Sequence, residues 1–223
     1  MYNNKYIIVF EGIDGAGKST QCLKLCDMLS KNGYSCKYVN VQKSYIIRRI
    51  FDEVNNKCKD YNYINRYEWT IMVYEKCKAY YECLVSNADF QIVIFDRYIY
   101  TERIGLKRFY TDKRLYDVLV NWLPSPDIVF YMEIDCEEAF ARTVLRNRSS
   151  KKTLHELKKF ANDYQLEFAN NEGELIRINS SGSIESVYKR IYEKFELYLR
   201  DKQSLFITGS IELDDIIPNA PSW

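Results

Sequence analysis

The stretch Gly12-Ile-Asp-Gly-Ala-Gly-Lys18-Ser19 constrains this chain more than any other. It matches GxxxxGK(S/T), follows the apolar run Tyr6–Phe10 and opens an amphipathic segment over 18–31, the strand–loop–helix setting the motif requires. Glycines let successive backbone N–H groups turn inward around a phosphate. The helix that follows adds the partial positive charge of its N-terminus. Lys18 brings a mobile full charge to the β and γ oxygens, and Ser19 offers a hydroxyl to Mg²⁺. The loop therefore predicts a bound nucleoside triphosphate.

Short apolar runs alternate with helix-period segments along the rest of the chain. Strands are expected at Tyr6–Phe10, Cys36–Val41, Ile92–Phe95, Ile128–Ile134 and Leu175–Ile178. Helices are expected at 18–31, 45–56, 65–86, 112–122, 136–147, 154–170 and 184–200. Runs such as IIVF, IVIF and IVFYM are apolar on both faces, as strands covered on two sides must be. The alternation predicts an α/β fold: a doubly wound, parallel five-stranded sheet flanked by helices. Gly33 suits the end of the first helix, Asp135 with Glu138 suits a capped start at 136, and Ser183 suits the cap of the last helix. One domain over 1–200 is expected, with a lid at about 142–155 and an acidic tail at 201–223.

Composition excludes several classes. With 32 basic against 31 acidic residues the chain lacks the surplus charge of a general nucleic-acid binder, so any polyanion must meet a local cluster. Seven scattered cysteines without a CxxC form neither a disulfide framework nor a zinc site. They point to reduced, cytoplasmic surroundings, with Cys22 and Cys26 as small apolar side chains of the first helix. The start MYNNKYIIVF does not read as a secretory leader, and no apolar run approaches the ~20 residues of a membrane span.

Two further features bear on phosphate chemistry. Ile92-Val-Ile-Phe-Asp96 has the form of a Walker B strand, its carboxylate beside the metal of the first site; an N-cap is the alternative for Asp96. Between 142 and 159 lie Arg142, Arg146, Arg148, Lys151, Lys152, Lys158 and Lys159 against the single acid Glu156. Such a run is either a solvated helix surface or an arginine lid over phosphates. His155 has no visible partner and reads as a surface residue.

Together these residues resemble the thymidylate kinase family of nucleoside monophosphate kinases. FEGIDGAGKSTQ at 10–21 is similar to its signature, FDRY at 95–98 to its DRY motif, and PDIVFYMEIDCEEAFAR at 126–142 to the strand and helix that lead to its lid. The resemblance implies a P-loop nucleotide kinase fold that uses ATP and Mg²⁺. Gly12, Asp14, Gly15, Ala16, Gly17, Lys18, Ser19, Thr20 and Arg142 would hold the nucleotide, and Ser19 and Asp96 the metal. It further implies that Asp14 approaches the acceptor's sugar and Arg97, beside Tyr98, the acceptor's phosphate. Members with Gly-Ala at the places of Gly15 and Ala16 take a catalytic arginine from the lid, a role implied here for Arg146 or Arg148.

The chain departs from the family where the acceptor is framed. The loop after the second strand reads Val41-Gln-Lys43-Ser44, the central helix carries Glu75-Lys76 in place of an Asp-Arg or Asn-Arg pair, and Tyr100-Thr-Glu-Arg-Ile-Gly105 follows DRY. Lys43 and Lys76 thus become acceptor-binding candidates, and Trp69 and Met72 either flank a base or belong to the core. The expected reaction is phosphoryl transfer to a nucleoside monophosphate, dTMP first. The alternatives are a hydroxyl acceptor with Glu11 as base, a nucleotide switch, or a binding subunit without turnover. The resemblance also implies a homodimer joined through the central helices, and the 65–86 segment is apolar on more than one face.

Overall fold

The expected strands lie side by side in one parallel sheet. A computed structural model describes residues 5–41, 53, 61–86, 89–109, 113–120, 122–145, 152–169 and 175–206. Its strands are β1 (Tyr6–Glu11), β2 (Cys36–Val39), β3 (Ile92–Asp96), β4 (Ile128–Glu133) and β5 (Leu175–Asn179). Its helices among these residues are α1 (Lys18–Lys31), α2 (Tyr61–Ser86), α3 (Ile99–Phe109), α4 (Lys113–Val120), α5 (Cys136–Leu145), α6 (Leu154–Phe168) and α7 (Ile184–Phe206).

Strand order is β2-β3-β1-β4-β5, parallel throughout. The chain thus leaves β1 in one direction to build β2 and β3 and in the other to build β4 and β5. In open α/β sheets the crevice at such a switch point, beyond the carboxyl ends of the strands, is where ligands bind. Register does the rest of the placing. Phe10 lies opposite Asp96 and Glu11 opposite Tyr131, so the phosphate loop emerges between the ends of β3 and β4.

The core explains the apolar runs. Ile8, Val9, Phe10, Phe95 and Phe130 are all fully buried, and Phe10 meets Phe130 with ring centroids 5.0 Å apart. Helix α1 turns Cys22, Leu25 and Leu29 to the sheet, α2 turns Val73, Cys77, Tyr80 and Leu84, and α7 turns Val187, Ile191 and Phe195. Cys26 is only half-buried, whereas its neighbour Cys22 is fully enclosed. No helix among the described residues is long and apolar enough to cross a membrane.

Helix ends follow local chemistry. The Asp135 carboxylate accepts from the N–H groups of Glu137 and Glu138 at 2.9 and 3.1 Å, while the Glu138 side chain turns to Arg142 instead of closing a capping box. A full capping box opens α6, between Thr153 and Glu156. Ser183 caps α7 through the Ser186 N–H, and Gly33 takes φ +89° after α1.

Several boundaries differ from expectation. Helix α3 is absent from the sequence reading, because its opening Ile-Tyr-Thr and internal Gly105 are poor helix formers; burial of Glu102 and Ile104 overrides that propensity. The expected 112–122 helix ends at Val120, before the turn at Trp122. The 154–170 helix ends at Phe168, β2 stops at Val39 and β4 at Glu133. Helix α2 starts at Tyr61 and α7 runs on to Phe206. The segment expected as a helix over 45–56 lies outside the described residues apart from position 53.

Candidate active site

The phosphate loop joins the end of β1 to α1. Its glycines are required by space as much as by torsion. Gly15 has φ +89°, and a Cβ there would lie 2.3 Å from the Ala139 carbonyl oxygen of α5; at Gly12, φ is +141° and a Cβ would lie 2.7 Å from the Met132 carbonyl. Backbone thus packs on backbone, and the loop wraps against β4 and α5. Gly17 adopts the left-handed conformation immediately before α1, Ala16 is buried and Thr20 half-buried.

Lys18 is buried, and its Nζ donates to the Ile13 carbonyl at 2.8 Å, folding back over its own loop. Burial, with the Arg97 guanidinium nearby, lowers its pKa from the usual 10.5 to about 8. An incoming polyphosphate reverses that cost, because it supplies the negative charge the site lacks. The Ser19 hydroxyl donates to Asp96 Oδ2, which also accepts from Asn40 Nδ2 at 2.8 Å. A hydroxyl and a carboxylate at the first turn of α1 are hard oxygen donors of the kind Mg²⁺ takes when phosphates supply the remaining ligands. The pair fits that ion.

Arg97 stands at the end of β3 with φ +74°, a left-handed conformation that an L side chain adopts at a cost. That turn aims the guanidinium across the mouth of the sheet. Its Nη2 reaches Asp14 Oδ1 at 2.6 Å, and its Nη1 donates to Tyr164 Oη at 2.8 Å and to Thr101 Oγ1 at 3.1 Å. Asp14 Oδ2 in turn meets Lys152 Nζ at 2.8 Å. Burial pushes the Asp14 carboxyl up, but Arg97, Lys152 and Lys18 together outweigh it and hold the group well below the usual carboxylate range.

Glu11 closes the floor of this junction and is fully buried. Its Oε1 accepts the Tyr98 N–H at 2.8 Å, and its Oε2 accepts the hydroxyls of Thr101 and Tyr164 at 2.7 and 2.8 Å. Burial raises its pKa, partly offset by Arg97 and these hydrogen bonds. Fully buried and with both oxygens engaged by the protein, Glu11 is placed as a brace, which favours that role over the alternative of a base toward a substrate hydroxyl.

Other candidates are placed differently from the expectation. The Tyr98 ring is enclosed between Phe95 and Tyr80, with centroids 4.9 and 4.8 Å away, and its hydroxyl donates to the Pro124 carbonyl, so it is core and not acceptor contact. Lys76 forms a buried ion pair with Glu102, whose Oε2 has no hydrogen-bond partner among the described residues. Removing one partner of a buried pair leaves the other charge uncompensated. Lys76→Met is therefore expected to lower stability by roughly 3–5 kcal/mol, read by urea unfolding. Met72 is buried on α2. Arg142 holds Glu138 at 2.6 Å and donates to the carbonyls of Ser180 and Gly182, bracing the turn before α7. His155 is exposed. Lys43, Arg146 and Arg148 lie outside the described residues, as does the side chain of Trp69.

Sequence reasoning missed Thr101 and Tyr164, and it counted Lys152 only as one of a basic run. Nothing local marks Tyr164, which lies one residue in a helix far from the loop; only packing of α6 over the ends of β1 and β3 brings its hydroxyl to Glu11 and Arg97.

Comparison with known proteins agrees with the geometry. The family model described as thymidylate kinase matches residues 10–191. A probable thymidylate kinase of Methanococcus aeolicus is 29% identical over 198 residues, covering 86% of this chain and 95% of the relative. A thymidylate kinase of Staphylococcus epidermidis is 26% identical over 209 residues, covering 86% and 98%. Among solved structures, the deoxyadenosine kinase of M. mycoides, with dCMP and a flexible dCDP bound, superposes with a TM-score of 0.58 at 19% identity. It covers 85% of this chain and 98% of that one, and at such identity the likeness shows the fold alone.

Proposed function

This chain belongs to the thymidylate kinase family, and from that premise we propose that it transfers the γ-phosphoryl group of Mg²⁺–ATP to a nucleoside monophosphate, with dTMP as acceptor. The observation that carries the reading is the meeting of the donor-side and acceptor-side cations. Lys18 rises from the phosphate loop, Arg97 from the end of β3, and Asp14 lies within the field of both. Transfer between two polyanions requires that they be held in line with their charge neutralised, and little covalent help from the protein. Lys18 would hold the β and γ oxygens and Arg97 the acceptor phosphate, while Asp14 holds Arg97 in register. Bound Mg²⁺, beside Ser19 and Asp96, supplies further charge neutralisation. A phosphate acceptor is already an anionic nucleophile, so the site has no need of a free base, in keeping with the occupied oxygens of Glu11.

The test is ADP release from Mg²⁺–ATP against a panel of nucleoside monophosphates and nucleosides. A response to dTMP that survives Glu11→Gln is expected. A response to nucleosides alone, abolished by Glu11→Gln, would replace the reading with a hydroxyl-acceptor kinase. Binding of nucleotide with no acceptor-stimulated release would replace it with a binding protein.

We also place the protein in the cytoplasm as a homodimer. Helix α2 leaves Ile71, Tyr74, Tyr81 and Val85 exposed, and their spacings of three, seven and four residues place them on a single stripe. Light scattering is expected to give about twice 26.6 kDa, with Tyr74→Glu reducing it to the monomer. A wild-type monomer at micromolar concentration would remove the dimer.

A further inference from the structure

Strand β2 ends at Val39, which lies opposite Phe95 in the parallel pairing of β2 with β3. The next residue along each strand is Asn40 on one side and Asp96 on the other, and their side chains meet. Asn40 Nδ2 donates to Asp96 Oδ2 at 2.8 Å and to Tyr38 Oη at 3.3 Å, while the Tyr38 hydroxyl donates to the same Asp96 oxygen at 3.4 Å. An ionised carboxylate only accepts, so the amide turns its NH₂ end toward the pair, with one hydrogen for each partner.

The donors to Asp96 converge on one oxygen. Ser19, Tyr38 and Asn40 all reach Oδ2, whereas Oδ1 accepts no hydrogen bond among the described residues. A carboxylate held by one oxygen, with the other uncommitted, is oriented as a metal ligand is oriented by the partners behind it. Asn40 is exposed, so its side chain is not there to fill the core; its printed contacts are with Asp96 and Tyr38. Ser19 commits its proton to Asp96 and keeps the lone pairs of its oxygen.

We propose that Asn40 is a positioning residue, whose amide fixes the Asp96 carboxylate so that Oδ1 is the oxygen offered to Mg²⁺. The proposal rests on the kinase reading for the ion that accompanies the nucleotide. Asn40 touches no reacting atom and acts through Asp96. Tyr38 backs the same oxygen through a longer bond and is the lesser partner.

Asn40→Leu nearly keeps the shape of the side chain and removes both donors. Calorimetric titration of the full chain with ADP at a series of Mg²⁺ concentrations is the test. The Mg²⁺ concentration at which ADP affinity is half enhanced is expected to rise about 10–100-fold, the range for losing a partner behind a metal ligand. Affinity for ADP without divalent ion is expected to match the wild type. Tyr38→Phe is expected to shift the Mg²⁺ dependence in the same direction by less, because Asn40 still holds Oδ2. An Asn40→Leu protein with the wild-type Mg²⁺ dependence overturns the proposal. So does one whose metal-free ADP affinity falls by the same factor, since that is a merely structural role. A wild type that phosphorylates no monophosphate, in a protein whose Mg²⁺ dependence still shifts with Asn40→Leu, overturns the acceptor reading and supports the role of Asn40.

Discussion

Replacing Lys18 with Met is expected to lower kcat/KM for dTMP by at least about 10³-fold, some 4 kcal/mol of transition-state stabilisation, with no loss of stability in the unliganded protein. The two halves of that result share one cause. Lys18 is almost enclosed and, without nucleotide, hydrogen-bonds a carbonyl of its own loop. Burial and the neighbouring Arg97 both disfavour its charge, which is why its pKa falls to about 8. The charge is maintained at a cost in the free protein and recovered only when phosphates arrive. Met removes both the cost and the recovery.

The pH dependence has a definite sign. Folded Lys18 releases its proton near pH 8, whereas the unfolded chain keeps it to about 10.5. Between those values the unfolded state binds more protons, so this residue makes the unliganded protein more stable as pH rises. Below about pH 8 both states are protonated and the full cost is present. The difference in unfolding free energy between wild type and Lys18→Met is therefore expected to favour Met most at neutral pH and to shrink above pH 8. Urea titrations of both proteins at several pH values measure it; a difference independent of pH would contradict the account.

Arg97→Gln is expected to be the second most damaging change, raising KM for the acceptor at least about 10²-fold and destabilising the fold by roughly 2–4 kcal/mol. Arg97 touches the phosphate-loop carboxylate Asp14, the hydroxyl of Tyr164 and that of Thr101. It also offsets the burial of Glu11. Without it, two carboxylates face each other across the junction with less positive charge between them. Arg97→Gly is expected to lose the same activity but less stability than Gln, because glycine removes the left-handed strain at φ +74°, worth about 1–2 kcal/mol. Melting temperatures of the pair separate the guanidinium's contribution from the backbone's. If the Gly variant melts below the Gln variant, the strain assignment is wrong.

Much of this architecture was legible before any coordinates. The β1–loop–α1 unit, the parallel sheet and the pairing of Ser19 with Asp96 depend on contiguous residues and on an apolar run ending in Asp, and such patterns survive in one dimension. Helix α3 was not legible, because its residues have poor helix propensity and its stability comes from burying Glu102 and Ile104. Tyr98 was misplaced for a related reason. A motif states that Tyr follows Asp-Arg, but it does not state that the left-handed turn at Arg97 sends the next ring into the core.

The sequence by itself determined the fold class and the phosphate loop, since strand period, helix period and glycine spacing are local properties of the chain. Only the tertiary structure decided the other half of the site. Glu11, Asp14, Arg97, Thr101, Lys152 and Tyr164 come from three separate stretches of chain and meet within hydrogen-bond distance. What brings them there is the order of strands in the sheet and the packing of α3 and α6 over their ends. Desolvation at that meeting point, which sets the charge each residue carries, arises from all of those elements at once and belongs to no segment alone.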